Sequence, residues 1–143
     1  MQKAAGELAA FMPKFFRHMY PYIFKSIKVP PSQVFALMTL EEEKVCTLSS
    51  LSKKLNVSPP TASGLIDRLA QRGYVQRQQD EKDRRVVNIS LTSTGDIVVK
   101  RFRNNILEKW KSLIKTFSPS ERKGPLSFIK QILREIERDE KEK

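Results

Sequence analysis

Residues 47–92 read TLSSLSKKLNVSPPTASGLIDRLAQRGYVQRQQDEKDRRVVNISLT, and their punctuation decides the fold. Leu51 and Leu55 are four residues apart, so a short helix from about Leu48 to Leu55 points both inward. Ser52 is small enough for a second helix to cross close by. Asn56 tolerates the left-handed backbone that a sharp interhelical turn requires, and Val57 fills the corner. Ser58 then caps a second helix, with Pro59 at the first helical position, where a missing N–H costs nothing. That helix buries Ala62, Leu65, Ile66 and Leu69 and stops at Gly73, a good residue for the left-handed position after a helix. Its opposite face, Pro60, Thr61, Ser63, Gly64 and Asp67, has no core role.

The next residues add a hairpin. Tyr74 to Gln78 and Val86 to Leu91 both alternate, so that Val75, Val87, Ile89 and Leu91 can share one face. Between them Gln79 to Arg85 is too charged for anything but a solvated or phosphate-seeking loop. A helix-turn-helix followed by a basic hairpin is a winged helix, and such proteins place the N-terminal part of the second helix in the DNA major groove. Leu51 to Ser58, Thr61-Ala62-Ser63, Asp67-Arg68-Leu69 and Gly73-Tyr74-Val75 resemble the multiple-antibiotic-resistance regulator (MarR) family. Asp83-Arg84-Arg85 and the exit Leu91-Thr92-Ser93-Thr94-Gly95 do so too, and the likeness is close over about Val34 to Val99.

The resemblance implies a homodimeric transcriptional regulator, most simply a repressor, bound to a palindromic operator in double-stranded DNA. Two recognition helices would enter successive major grooves, and the wings would reach the flanking minor grooves. In that family the arginine matching Arg85 enters the minor groove and the aspartate matching Asp83 orients it, as suits a groove of concentrated negative potential. Arg84 is its companion at the tip. Gly64 departs from the pattern, because relatives often carry a long polar side chain there. Direct readout then falls to Pro60, Thr61 and Ser63 beside the cap Ser58, through a thymine methyl or short hydrogen bonds. Lys53, Lys54, Arg68, Arg72 and Arg77 would hold phosphates, which position without specifying. The bland reading of each is solubility alone. The resemblance also implies an effector pocket between the terminal helices and the winged helix, for a small aromatic or anionic molecule. Arg17, His18, Tyr20 and Tyr22 are the candidates to line it.

Composition agrees with a nucleic-acid partner. The 143 residues carry a net charge of +11 and are 39% hydrophobic, enough for one modest core. The charge is +4 over residues 1–31, −2 over 32–46, +4 over 47–92 and +5 over 93–143. One cysteine, Cys46, allows no internal disulfide and fits a reducing compartment, so a cytoplasmic protein is expected. Nothing is apolar for long enough to span a membrane, and Glu7 interrupts any signal-peptide reading. Catalysis finds little support. His18 and Cys46 form no assignable nucleophile–base pair, and no glycine-rich phosphate loop or Cys-x-x-Cys is present. A metal site would need His18 or Cys46 with Glu41 to Glu43. Cys46 as a small buried hydrophobe at a helix junction and His18 as a packed or capping residue are the simpler readings. No cofactor is implied.

The flanks are helical. Leu8, Phe11, Met12, Phe15, Met19, Ile23 and Ile27 follow a 3.6 period, and Phe16, Tyr20 and Phe24 widen the stripe. Pro13 and Pro21 predict two short helices or one bent one. Ser32 is expected to cap Gln33 to about Glu42, whose closing Glu41-Glu42-Glu43 opposes the helix dipole for no reason the sequence supplies. Thr92 can cap a helix to about Phe117, and Ser118, with Pro119 and Glu121, starts a last one in which Gly124-Pro125 is a weak point. The expected whole is mainly α with a small β-wing: a single domain of 143 residues. Within it, a winged helix-turn-helix over 32–92 is flanked by dimerisation helices in 1–31 and 96–143. The rival from another class is a winged helix that docks proteins and has lost DNA binding; Gly64 favours it and the charged wing does not.

Overall fold

A computed structural model describes residues 1–142 and bears out the winged helix. In chain order the elements are α1 (Gln2–Ile23), α2 (Pro31–Glu43), β1 (Cys46–Thr47), α3 (Leu48–Lys54) and α4 (Pro59–Gln71). β2 (Val75–Gln79), β3 (Val87–Leu91), α5 (Ser93–Ile114) and α6 (Pro119–Lys141) complete it. The chain forms two compact units, Met1–Ile106 and Leu107–Lys143.

The first unit holds the core. Val34, Leu37 and Leu40 of α2, Leu51 of α3, Ile66 and Leu69 of α4, Ile89 of β3 and Val99 of α5 are completely buried. Each contributes roughly 1.5–3 kcal/mol relative to exposure. Ala62 and Leu65 are buried as the helical spacing requires, and Ser52 is buried where the two helices cross. Asn56 takes the left-handed conformation, φ 52°, that turns α3 into α4. Ser58 caps α4 by accepting from the Thr61 N–H at 3.3 Å. At the other end Gly73 has φ 74°; its N–H bonds to Ala70 O and that of Tyr74 to Leu69 O, a Schellman closure.

The wing is a three-stranded antiparallel sheet, not a lone hairpin. Val75 pairs Leu91, Arg77 pairs Ile89 and Gln79 pairs Val87, which puts Val75, Val87, Ile89 and Leu91 on one face as the alternation requires. The third strand is β1, whose Cys46 pairs Ile89 and Thr47 pairs Asn88, so β3 lies in the middle. Cys46 is buried, as expected, where α2 gives way to α3, and the short link there is a strand. Two residues are too short for any alternation to reveal.

Of the two forms expected for α1 the single helix is the one found, continuous through Pro13 and Pro21; other expectations at the flanks are corrected. Pro21 lies within the final turn, so it interrupts little, and the carbonyls that both prolines leave without an N–H donor lie on a largely exposed helix, where water can reach them. Ser32 is not the cap of α2: Pro30 takes the N-cap place and Pro31 the first helical position, each with its φ preset by the ring. The glutamates that end α2 find cations outside the helix. Glu41 accepts from Arg103 Nε at 3.0 Å, and Glu43 pairs with Lys54 at 2.8 Å. Thr92 caps α5 as expected, accepting from the Gly95 N–H at 3.2 Å, but the helix ends at Ile114.

In the second unit Ser118 and Glu121 form the expected capping box, and α6 continues through Gly124-Pro125. None of its residues is buried, and Leu126, Ile129, Leu133 and Ile136 form an exposed apolar row.

Two glycines make opposite predictions. A Cβ on Gly95 would stand 2.1 Å from the Tyr74 carbonyl oxygen, a backbone atom that cannot step aside. Gly95→Ala should therefore destabilise the fold by about 1–3 kcal/mol. A Cβ on Gly64 meets nothing within 4 Å, so Gly64→Ala should stabilise it by about 0.5–1 kcal/mol. Urea titrations of the two variants check both signs.

Candidate nucleic-acid interface

The recognition surface begins at the N-terminus of α4. Ser58, Pro60 and Thr61 are exposed, and Ser63 and Gly64 half-exposed. The Ser58 and Thr61 hydroxyls lie 2.8 Å apart and share a hydrogen bond, so both are engaged in the cap. A turn later Asp67 forms an ion pair with Arg77 of β2, tying the helix to the wing.

That pair is one of several that sort the basic residues. Of the five expected to hold phosphates, three are bonded within the chain: Lys54 to Glu43, Arg77 to Asp67, and Arg72 through Nη1 to the Lys28 carbonyl at 2.8 Å. Glu43 holds the Lys54 ammonium above its ordinary range by hydrogen bond and charge. The Lys53 and Arg68 side chains form no hydrogen bond or ion pair among the described residues, and neither does that of Arg84.

The wing tip is built rather than loose. Asp80 accepts from the Lys82 N–H at 2.8 Å, from the Asp83 N–H at 3.1 Å and from Asn88 Nδ2 at 3.3 Å. These backbone donors, with Asn88, hold its carboxyl below the ordinary aspartate range. Asp83 then grips Arg85 three times, through the backbone N–H at 3.0 Å, Nε at 3.1 Å and Nη2 at 3.2 Å. The Arg85 side chain is nonetheless 90% exposed, a guanidinium aimed outward on a fixed stem. The sequence reading missed Asp80 and Asn88. An aspartate two residues before a backbone N–H that it can accept from is the local signal that was available.

The effector candidates are less well served. Arg17, His18, Tyr20 and Tyr22 are all exposed on α1, so His18 is neither packed nor a cap. Tyr20 stacks on Phe24 at 4.7 Å. Three surface concavities of about 250, 290 and 340 Å³ take no lining residue from α1. Among the described residues no group of His, Cys, Asp and Glu could hold a metal ion, and no helix is long and apolar enough to cross a membrane.

A capped second helix, a left-handed interhelical turn and an arginine-tipped wing on one face define a winged helix-turn-helix. Residues 29–87 match the model of the MarR family. It is 33% identical over 85 residues to the HTH-type transcriptional repressor MdtR of Bacillus subtilis, which covers 57% of this chain and about half, 55%, of MdtR. A MarR family protein from Bacillus stearothermophilus superposes with a TM-score of 0.77 over 97% of this chain and 96% of that one, at 23% identity. A mutant MepR from S. aureus, bound to an oligodeoxyribonucleotide, superposes with a TM-score of 0.70 over 92% and 97%, at 21% identity. At such identities the two structures speak to the fold.

The grip of Arg85 has a titration signature. Its guanidinium first, and its backbone N–H second, stabilise the ionised Asp83 and hold that carboxyl below its ordinary value of 3.8. A depressed carboxylate keeps its partner at every pH above the ordinary value and lets go only as pH falls through the lowered one. The Asp83 carboxyl should accordingly titrate below 3.8 by NMR and move up toward that value in Arg85→Ala.

Proposed function

We propose that this chain is a sequence-specific, double-stranded-DNA-binding transcriptional regulator, acting as a homodimeric repressor in the cytoplasm. The observation that carries the reading is the pairing of a capped, solvent-facing α4 with an exposed Arg85 held by Asp83. The α4 N-terminus enters the major groove, and Arg85 enters the adjacent minor groove, where narrow A·T-rich segments favour an arginine. Lys53, Arg68 and Arg84 supply phosphate contacts that need no internal bond broken first. Lys54, Arg72 and Arg77 must exchange an internal partner to do the same. The name of MdtR and the DNA in the MepR complex support this reading by likeness.

The dimer follows from apolar surface. Phe11 on α1 is 63% exposed and Leu133 and Ile136 on α6 are about half exposed, in helices at the two ends of the chain. A two-fold contact buries such a patch twice and sets two recognition helices about one DNA turn, ~34 Å, apart. Release by a small aromatic or anionic effector belongs to the same proposal, with Arg17, His18, Tyr20 and Tyr22 the candidates to line its site. Gly64 favours one rival, a winged helix that docks another protein, because it removes a base-reading side chain.

Salt separates the two. A DNA-binding dimer that neutralises several phosphates should lose affinity with a log–log slope of about −5 or steeper, whereas protein docking gives a nearly flat titration. At fixed salt Arg85→Ala should weaken operator binding by about 1–3 kcal/mol with the fold unchanged; equal affinity removes the wing from the interface. Leu133→Asp combined with Ile136→Asp should yield monomers in sedimentation and abolish palindrome recognition, leaving weak, salt-sensitive binding. A wild-type chain sedimenting as a 16.5 kDa monomer while binding a palindrome tightly would refute the dimer.

A further inference from the structure

The polar side chains of α4 are not equally available. The Thr61 hydroxyl is committed to the cap with Ser58, and Asp67 to Arg77. Ser63, Arg68 and Gln71 remain without a hydrogen-bond or ion-pair partner among the described residues. Only Arg68 among them carries a fork of parallel donors, and the other arginines nearby, Arg72 and Arg77, are tied down. Its closest acidic neighbour in sequence, Asp67, is already used.

Gly64 stands one turn before Arg68 on the same exposed face, and nothing lies within 4 Å of where its Cβ would be. Helical side chains lean toward the N-terminus and cover the turn before their own Cα. The bare surface of Gly64 thus leaves open a track, unoccupied in the free chain, along which the Arg68 side chain can fold about 6 Å back toward the N-terminal end of the helix. Gly64 has no steric reason to be glycine, and a glycine inside a helix is unfavourable relative to alanine.

We propose that Arg68 is a base-reading residue, lying over Gly64 to donate two hydrogen bonds to the O6 and N7 acceptors of a guanine in the major groove. The assignment rests on the DNA-binding reading above and replaces a phosphate contact with a specific one. Gly64 reads no base itself; its missing side chain is what lets Arg68 do so.

The test uses the full chain. Selection of bound duplexes from a random pool defines the wild-type site, and each position of that site is then varied in competition assays at fixed salt. Arg68→Ala should lose about 5- to 150-fold on the selected site and abolish the preference for guanine at one position per half-site. Arg68→Lys keeps the charge but not the fork, so it should retain the salt slope and still lose that preference. Gly64→Leu, whose fold is checked by thermal melting, should block the track and reproduce the flattened position. The double variant should be no flatter than either single. A uniform loss across all sequences in Arg68→Ala, restored by lysine, would make Arg68 a phosphate clamp and overturn the assignment. Retained guanine preference in Gly64→Leu would overturn the path over Gly64. A wild-type chain that enriches no sequence would instead defeat the DNA-binding reading, and this assignment with it.

Discussion

The turn at Gly73 and Tyr74 fixes how the recognition helix meets everything after it. Gly73 reverses the chain in a left-handed conformation, and the Schellman bonds from Gly73 and Tyr74 close the carbonyls of α4. The same two residues receive the chain when it returns from the wing. Thr92 donates its hydroxyl to Gly73 O, and its N–H to Tyr74 O at 3.1 Å. Thr92 Oγ1 also caps α5, whose Gly95 packs against the Tyr74 carbonyl so closely that no side chain fits. End of helix, start of β2, end of β3 and start of α5 therefore share a few backbone groups. None can be displaced without stranding another.

Rigidity there gives meaning to charge elsewhere. Because the wing is held at its base by Thr92 and along β2 by the Asp67–Arg77 pair, Arg85 has a defined offset from α4. Exposed pairs of this kind are worth little as stabilisers, about 0.2–1 kcal/mol. Their effect is to choose which cations point outward. Lys54, Arg72 and Arg77 are turned to internal acceptors, while Lys53, Arg68, Arg84 and the far end of Arg85 remain toward solvent. Net charge over 47–92 is only +4 of the total +11, so orientation matters more to this surface than the sum does.

The sequence was most legible where one local rule acts alone. Asn56, Ser58-Pro59 and Gly73 each announce a backbone conformation, and all three hold. The 3.6 and 2.0 periods identified the inward residues of α4 and of the hairpin for the same reason. Legibility failed where a partner far along the chain decides. β1 exists only because β3 offers it a ladder, and two residues carry no period. Glu41 at the end of α2 is answered by Arg103, 62 positions on, which no local argument could supply. Serine was over-read in α2, where two prolines preset the helix start more strongly than a hydroxyl did. At the interface the sequence could name cations but not rank them, since ranking depends on which carboxylate each one reaches.

The short inventory of free polar groups on α4 bears on the proposed dimer. A good bidentate contact discriminates by about 1–3 kcal/mol, and contacts made by hydroxyls or methyls are weaker. One head with Arg68 and Ser63 as its free groups could favour its site over random duplex only modestly. Specific regulators separate the two by about 4–10 kcal/mol. Repeating the head across a two-fold axis doubles the base contacts, adds a second Arg85, and demands correct half-site spacing as well. The apolar row on α6 and the phenylalanines of α1 are thus coupled to recognition: with so few base-reading side chains in each head, specificity on this reading depends on the dimer.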